Sequence, residues 1–169
     1  MTQAKTQQKT TYSCMLPLVA VSIFTLAAFA GRGLAKSIAS GTKTKTFAQA
    51  LIDDTAAKHA ELESLEIATT PPGGHDCLTI AATDPKQMGD KCEKGELGVI
   101  RTGKPTVEKE TDGYDVTLPL HVSGKTIGIV AMDFKPDQQE AGLLDKARAI
   151  AKEVEDQIPT KSKLFEAAK

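Results

Sequence analysis

Two turn dipeptides, Asp112-Gly113 and Ser123-Gly124, constrain this chain more than any other feature, because each stands between runs with a two-residue period. Such dipeptides supply the positive φ angles that tight hairpins need. Residues 106–110, 114–122 and 126–134 therefore read as three antiparallel strands of a meander. In the middle run Tyr114, Val116, Leu118, Leu120 and Val122 alternate with Asp115, Thr117, Pro119 and His121, which requires one dry face and one mixed face. A dry sheet face has to be covered, and the flanking sequence offers the cover.

From Phe47 to Ala68 the apolar residues Phe47, Leu51, Ile52, Ala56, Leu62 and Leu65 recur at helical spacing, predicting one long amphipathic helix that ends before Pro71-Pro72-Gly73-Gly74. His59 falls at the border of its apolar stripe, where a hydrogen-bonded structural histidine is the expectation over a ligand role. A second helix is expected after Asp137, which with Glu140 offers a capping box, and its stripe is Leu144, Ala147, Ile150, Ala151, Val154 and Ile158 before Pro159. Between the first helix and the meander, residues 77–82 are a short apolar run that reads as a buried strand, and a turn at Thr83-Asp84-Pro85 follows. Residues 93–102 form a short helix, with Gly103 as its left-handed cap and Pro105 forbidding continuation. The fold class expected is α+β: an antiparallel sheet flanked by a long N-terminal helix and a C-terminal helix. Residues 160–169, polar apart from Leu164 and Phe165, read as a short tail.

The N-terminus has a different character. Residues 1–13 are polar with Lys5 and Lys9 as their charges, and an apolar run from Met15 to Ala30 follows, closing on Ala28-Phe29-Ala30. That order is a signal peptide with cleavage after Ala30, and sixteen residues are short of the roughly 20 a membrane-spanning helix needs. The alternative is an uncleaved anchor. Residues 31–46, rich in Gly, Ser, Thr and Lys, read as a flexible linker, so the domain proper is 47–158 and the tail 159–169. After cleavage 19 basic residues face 22 acidic ones, a net charge of −3, with the signs interspersed; no basic stripe for nucleic acid is present. The expected location is the periplasm.

Three stretches, Asp84-Pro85 through Met88-Gly89, Arg101-Thr102-Gly103-Lys104-Pro105, and Pro119-Leu120 with Gly124-Lys125-Thr126-Ile127-Gly128, resemble the PAS-like Cache domains of extracytoplasmic sensors over residues 47–158. The resemblance implies a small molecule bound between a curved sheet and a loop-helix region. It also implies a signal passed to a transmembrane helix, but nothing after Ile158 reads as a second span or an output domain. The module is expected to lack its own output and to use a membrane receptor as a further partner.

The candidate ligand-binding residues are Arg101, Tyr114, His121 and Asp133. Asp133 follows Ile127, Ile129 and Ala131 on an apolar strand face and needs a partner, Arg101 could hold a ligand carboxylate, and Tyr114 could offer ring and hydroxyl. The ordinary alternatives are a strand-end aspartate turned to Lys135, a solvated helix-end cation and a core tyrosine. The ligand expected is a small polar or anionic molecule. Cys77 and Cys92 are the cysteines left after export and read as a disulfide, or alternatively as two separate thiols. A second function class uses the same region: His75, Asp76, Cys77, Cys92 and perhaps His121 as a metal or haem site, although no paired ligand spacing supports it. No cofactor is expected. No nucleophile elbow, phosphate loop or His-Glu-x-x-His occurs, so enzyme function is not expected.

Overall fold

The Thr46 hydroxyl accepts the Gln49 amide at 3.2 Å and caps the first helix, α1 (Phe47–Ala56), which buries Ala48, Leu51, Ile52 and Thr55. The computed structural model describes residues 44–169; the expected export signal and all but the last three linker residues lie outside that range. β1 (Leu62–Thr69), β2 (Leu78–Ala82), a 3₁₀ turn (Pro85–Gln87) and α2 (Lys94–Thr102) follow. Then come β3 (Thr106–Lys109), β4 (Tyr114–Val122), β5 (Lys125–Phe134), α3 (Leu143–Asp156) and a second 3₁₀ turn (Lys161–Phe165). The five strands form one antiparallel sheet in the order β2-β1-β5-β4-β3.

The fold departs from the sequence reading first at residues 47–68, where the expected long helix is a ten-residue helix and a strand. Leu and Glu favour helix, yet β1 lies between β2 and β5, and pairing with both of them supplies the backbone partners a helix would otherwise give. The pairing of β1 with β5 shifts register between Leu62 and Ser64. That irregularity puts Leu62, Leu65 and Ile67 into one core cluster, so a strand acquires the i, i+3 spacing of a helix. His59 sits in the turn between α1 and β1, 3.1 Å from Glu61 and 3.2 Å from Glu153 of α3, a structural position.

The main core lies between α1, α3 and one sheet face, where Leu65, Ile67, Val116, Leu120, Val130, Met132 and Phe134 meet Ile52, Leu143, Ala147 and Val154. The alternation seen in β4 sets this: Val116, Leu118 and Leu120 turn to the helices. α3 begins at Leu143 behind a left-handed Gly142 and has no side-chain cap, so the Asp137–Glu140 capping box does not form. Asp137 accepts instead from Gln138. Residues 160–169 are part of the domain rather than an appendage: Leu164 is fully buried, and Ala167 bridges Thr46 beside a 2.8 Å bond from the Phe47 amide to the Glu166 carbonyl. Gly128 marks where β5 approaches β1 too closely for a side chain; a Cβ there would lie 2.2 Å from the Ala68 carbonyl oxygen. Among the described residues no helix is long and apolar enough to cross a membrane.

Candidate functional site

The opposite sheet face is covered only in part. α2 forms as its sequence requires, with Glu93 and Glu96 making a reciprocal capping box and Gly103 closing the helix at φ 66°. It lays Val99 and Ile100 over Ala68, Ile129 and Ala131. The segment from β2 to α2 is tied down beside it, because the sulfurs of Cys77 and Cys92 lie at disulfide distance and the Cys92 amide donates to the Cys77 carbonyl.

Beyond this small apolar patch the same face turns polar. Asp133 of β5 lies opposite Ser64 of β1 and Asp115 of β4, and Glu66 of β1 lies opposite Ala131, one residue pair further along. The Ser64 hydroxyl donates to Asp133, and Thr117 donates to Asp115 at 3.2 Å. Thr79 of β2 reaches the Glu66 carboxylate only at 3.4 Å. Two concavities adjoin above these residues, sharing Gln87 and Glu110 in their walls. One, of about 360 Å³, is bounded by Ser64, Asp84, Tyr114 and Asp133; the other, of about 280 Å³, by Glu66, Thr79, Lys91, Glu96 and Asp115. The Lys109 ammonium stands 5.8 Å from the Tyr114 ring centroid.

The electrostatics follow from burial. Glu66 is 8% exposed, and desolvation, reinforced by the charges of Glu96 and Asp133, pushes its carboxyl up to about 7. Asp115 is pushed up to about 6, by burial first and then by Asp133. Burial also raises Glu96. These carboxylates crowd together: Glu66 shares a hydrogen bond with Glu96 as well as with Thr79, and the ammonium in the same wall, Lys91, is paired with Asp76, so the arrangement can hold a proton.

Of the four residues singled out from the sequence, Tyr114 and Asp133 come together in the larger concavity. Arg101 is exposed in the last turn of α2 and bounds neither concavity. His121 belongs to a separate groove beside α3, its ring nitrogen 3.0 Å from Glu155, which also accepts the His121 amide. The register shift between Leu120 and His121 turns this side chain away from the face that simple alternation gives it. Arg101, which was expected to hold a ligand carboxylate, stands outside both concavities, whose walls carry carboxylates. The metal or haem alternative also fails to assemble: His75 is exposed, Asp76 pairs with Lys91 at 2.8 Å, and the two sulfurs face each other. Among the described residues no group of three or more His, Cys, Asp or Glu side chains is placed to hold a metal ion. Glu66, Asp115 and Gln87 are the residues that sequence reasoning missed. Glu66 was hidden by the helical reading of its strand; within Leu65-Glu66-Ile67-Ala68, an acid in an apolar run, a strand reading exposes it.

No family model and no curated protein matches the chain. Among solved structures it is similar to the second GAF domain of DevS from Mycobacterium smegmatis, with a TM-score of 0.52 and 11% identity, over 64% of this chain and 88% of that one. It is similar also to the A. aeolicus nlh2 GAF domain in an inactive state, with a TM-score of 0.51 and 14% identity, over 66% of this chain and 84% of that one. The fold is therefore GAF-like, within the broader PAS-like group, and the Cache type is not singled out.

Proposed function

We propose that this chain is a small-molecule-binding sensor module that receives its ligand on the sheet face beside α2. The observation that carries the reading is the half-covered face itself: an apolar patch under α2 continues into a concavity floored by buried polar groups, the composition of a binding site. The GAF-like fold supports it, since GAF domains are generally ligand-binding sensors. The module is exported and works outside the cytoplasm; the apolar run ending at Ala28-Phe29-Ala30 and the Cache-type motifs support this, as does a cysteine pair at disulfide distance. It has no catalytic role of its own and passes occupancy to a separate receptor.

A thermal-shift screen of small metabolites tests the binding function, because a ligand of the folded state raises the melting temperature. At least one saturable stabiliser is expected, and its effect is expected to vanish when Asp133 is replaced by asparagine. A stabiliser indifferent to Asp133 but sensitive to His121→Ala places binding in the groove beside α3 and overturns the site. Export is tested separately by the intact mass of protein recovered from the periplasm, which is expected to begin at Gly31.

A further inference from the structure

We propose that His59 is a proton-operated clasp: its imidazolium ties the turn between α1 and β1 to α3, and its neutral ring lets one of the two ties go. None of its parts lines the concavities beside α2, so it stands apart from the binding-site reading.

Both ring nitrogens of His59 meet a carboxylate. Nδ1 stands 3.1 Å from Glu61, two residues along the chain, and Nε2 stands 3.2 Å from Glu153 of α3, 94 residues away. A carboxylate only accepts, and a neutral imidazole carries one N–H and one lone pair. Whichever tautomer a neutral ring adopts, a lone pair faces a carboxylate oxygen at contact distance. The imidazolium, with an N–H on each nitrogen, is the one state that satisfies both. His121 shows the contrast: among the described residues its Nδ1 alone has a carboxylate partner, Glu155 at 3.0 Å, which one N–H satisfies.

Three cations share the neighbourhood of His59, and each is directed at an oxygen rather than at the ring. Lys58 donates to Glu153 at 2.5 Å, Lys146 of α3 acts on Glu61, and the Lys135 ammonium, after β5, donates to the Ala60 carbonyl. Burial of the ring opposes its charge, but the bonds to Glu153 and Glu61 outweigh burial and raise its pKa above the ordinary value. The two acids move the complementary way. Glu61 is held low by its own backbone amide first and, against burial, by His59; Glu153 is held low by Lys58 first and then by His59. A histidine raised on folding contributes stability that is complete below its unfolded value of about 6.5 and is lost as pH rises through the folded value. Lys58 still reaches Glu153 after the ring loses its proton, but its ammonium is exposed and the pair is screened by salt. The hold of the turn on α3 therefore weakens with rising pH.

Two-dimensional ¹H–¹⁵N spectra of the imidazole rings and backbone amides of the full chain, from pH 5 to pH 9 in 150 mM salt, test this. They are recorded on the unaltered protein and on Glu61→Gln and Glu153→Gln, which remove one charge each and keep shape at partly exposed positions. His59 is expected to keep both ring nitrogens protonated past about pH 6.5, with its midpoint lowered in each variant. In the unaltered protein the amides of His59, Glu61 and Glu153 are expected to shift with the same midpoint as the ring. His59→Gln gives a readout that needs no ring signal: it is expected to melt below the unaltered protein at pH 6, by a deficit that shrinks at pH 9. A ring that is neutral below about pH 6.5, or a midpoint indifferent to both glutamines, overturns the clasp. A midpoint lowered by Glu61→Gln alone, or a ring that titrates while the Glu153 amide stays still, leaves α3 out and overturns it too. An equal melting deficit at both pH values reduces His59 to packing and has the same consequence.

Discussion

Replacing Glu66 by glutamine should stabilise the protein at high pH and leave it unchanged at low pH. In the folded state the Glu66 carboxyl is raised from its ordinary 4.5 to about 7, and in the unfolded chain it returns to the ordinary value. Between those two pH values the folded state holds a proton that the unfolded state has released, so stability falls as pH rises through the window. At about 1.4 kcal/mol per pKa unit, the displacement amounts to about 3 kcal/mol lost by pH 8. Glutamine keeps the volume and can still accept from Thr79, but it carries no charge to bury. For a domain of this size about 3 kcal/mol corresponds to about 10 °C in melting temperature. Thermal unfolding followed by circular dichroism, at pH 8 and pH 4.5, is the assay. The variant should melt about 10 °C above the unaltered protein at pH 8 and together with it at pH 4.5. A variant less stable at pH 8, or one displaced equally at both pH values, would refute the picture of an uncompensated buried carboxylate.

Other substitutions test the frame around the site. Gly128→Ala forces a Cβ to within 2.2 Å of the Ala68 carbonyl oxygen and 2.8 Å of the Thr69 side chain; urea unfolding should show a loss of about 2 to 3 kcal/mol. Leu164→Ala empties a fully buried position in the last ten residues and should cost about 2 to 5 kcal/mol in the same assay, whereas a detached tail would show no change. Reduction of the Cys77–Cys92 pair, which closes a loop of 15 residues, should lower stability by about 3 kcal/mol, read as the difference in unfolding midpoint with and without reductant. No effect of reductant would mean that the two thiols are separate.

The parts of the fold that were legible in the sequence are those whose signals are local. The meander followed from two turn dipeptides and strict alternation, and α2 from an acidic first turn and a Gly103 cap, all of them set by neighbours a few residues away. What escaped was decided at a distance. β1 is a strand because β2 and β5 come from later in the chain to flank it, and the irregularity at Leu62–Ser64 disguises its period. That one misreading concealed Glu66, since an acid on a helix is ordinary and an acid on a buried strand is not. Asp133 stood out because its apolar strand neighbours made it anomalous, and the structure puts Tyr114 beside it in the wall of one concavity. Arg101 and His121 could not be placed from spacing, because one depends on where α2 points and the other on a register shift. The tail escaped for a similar reason: Leu164 and Phe165 are two apolar residues in a polar stretch, and their packing depends on α1, which is distant in sequence.

The account stands on the sheet face beside α2 being where a ligand goes. A two-dimensional ¹H–¹⁵N titration with the metabolite that stabilises most addresses that directly. Saturable shifts should gather at Ser64, Glu66, Thr79, Gln87, Asp115 and Asp133, with the amides of α3 left in place. Shifts gathered at His121, Arg148 and Glu155, or spread without saturation over the surface, would contradict it.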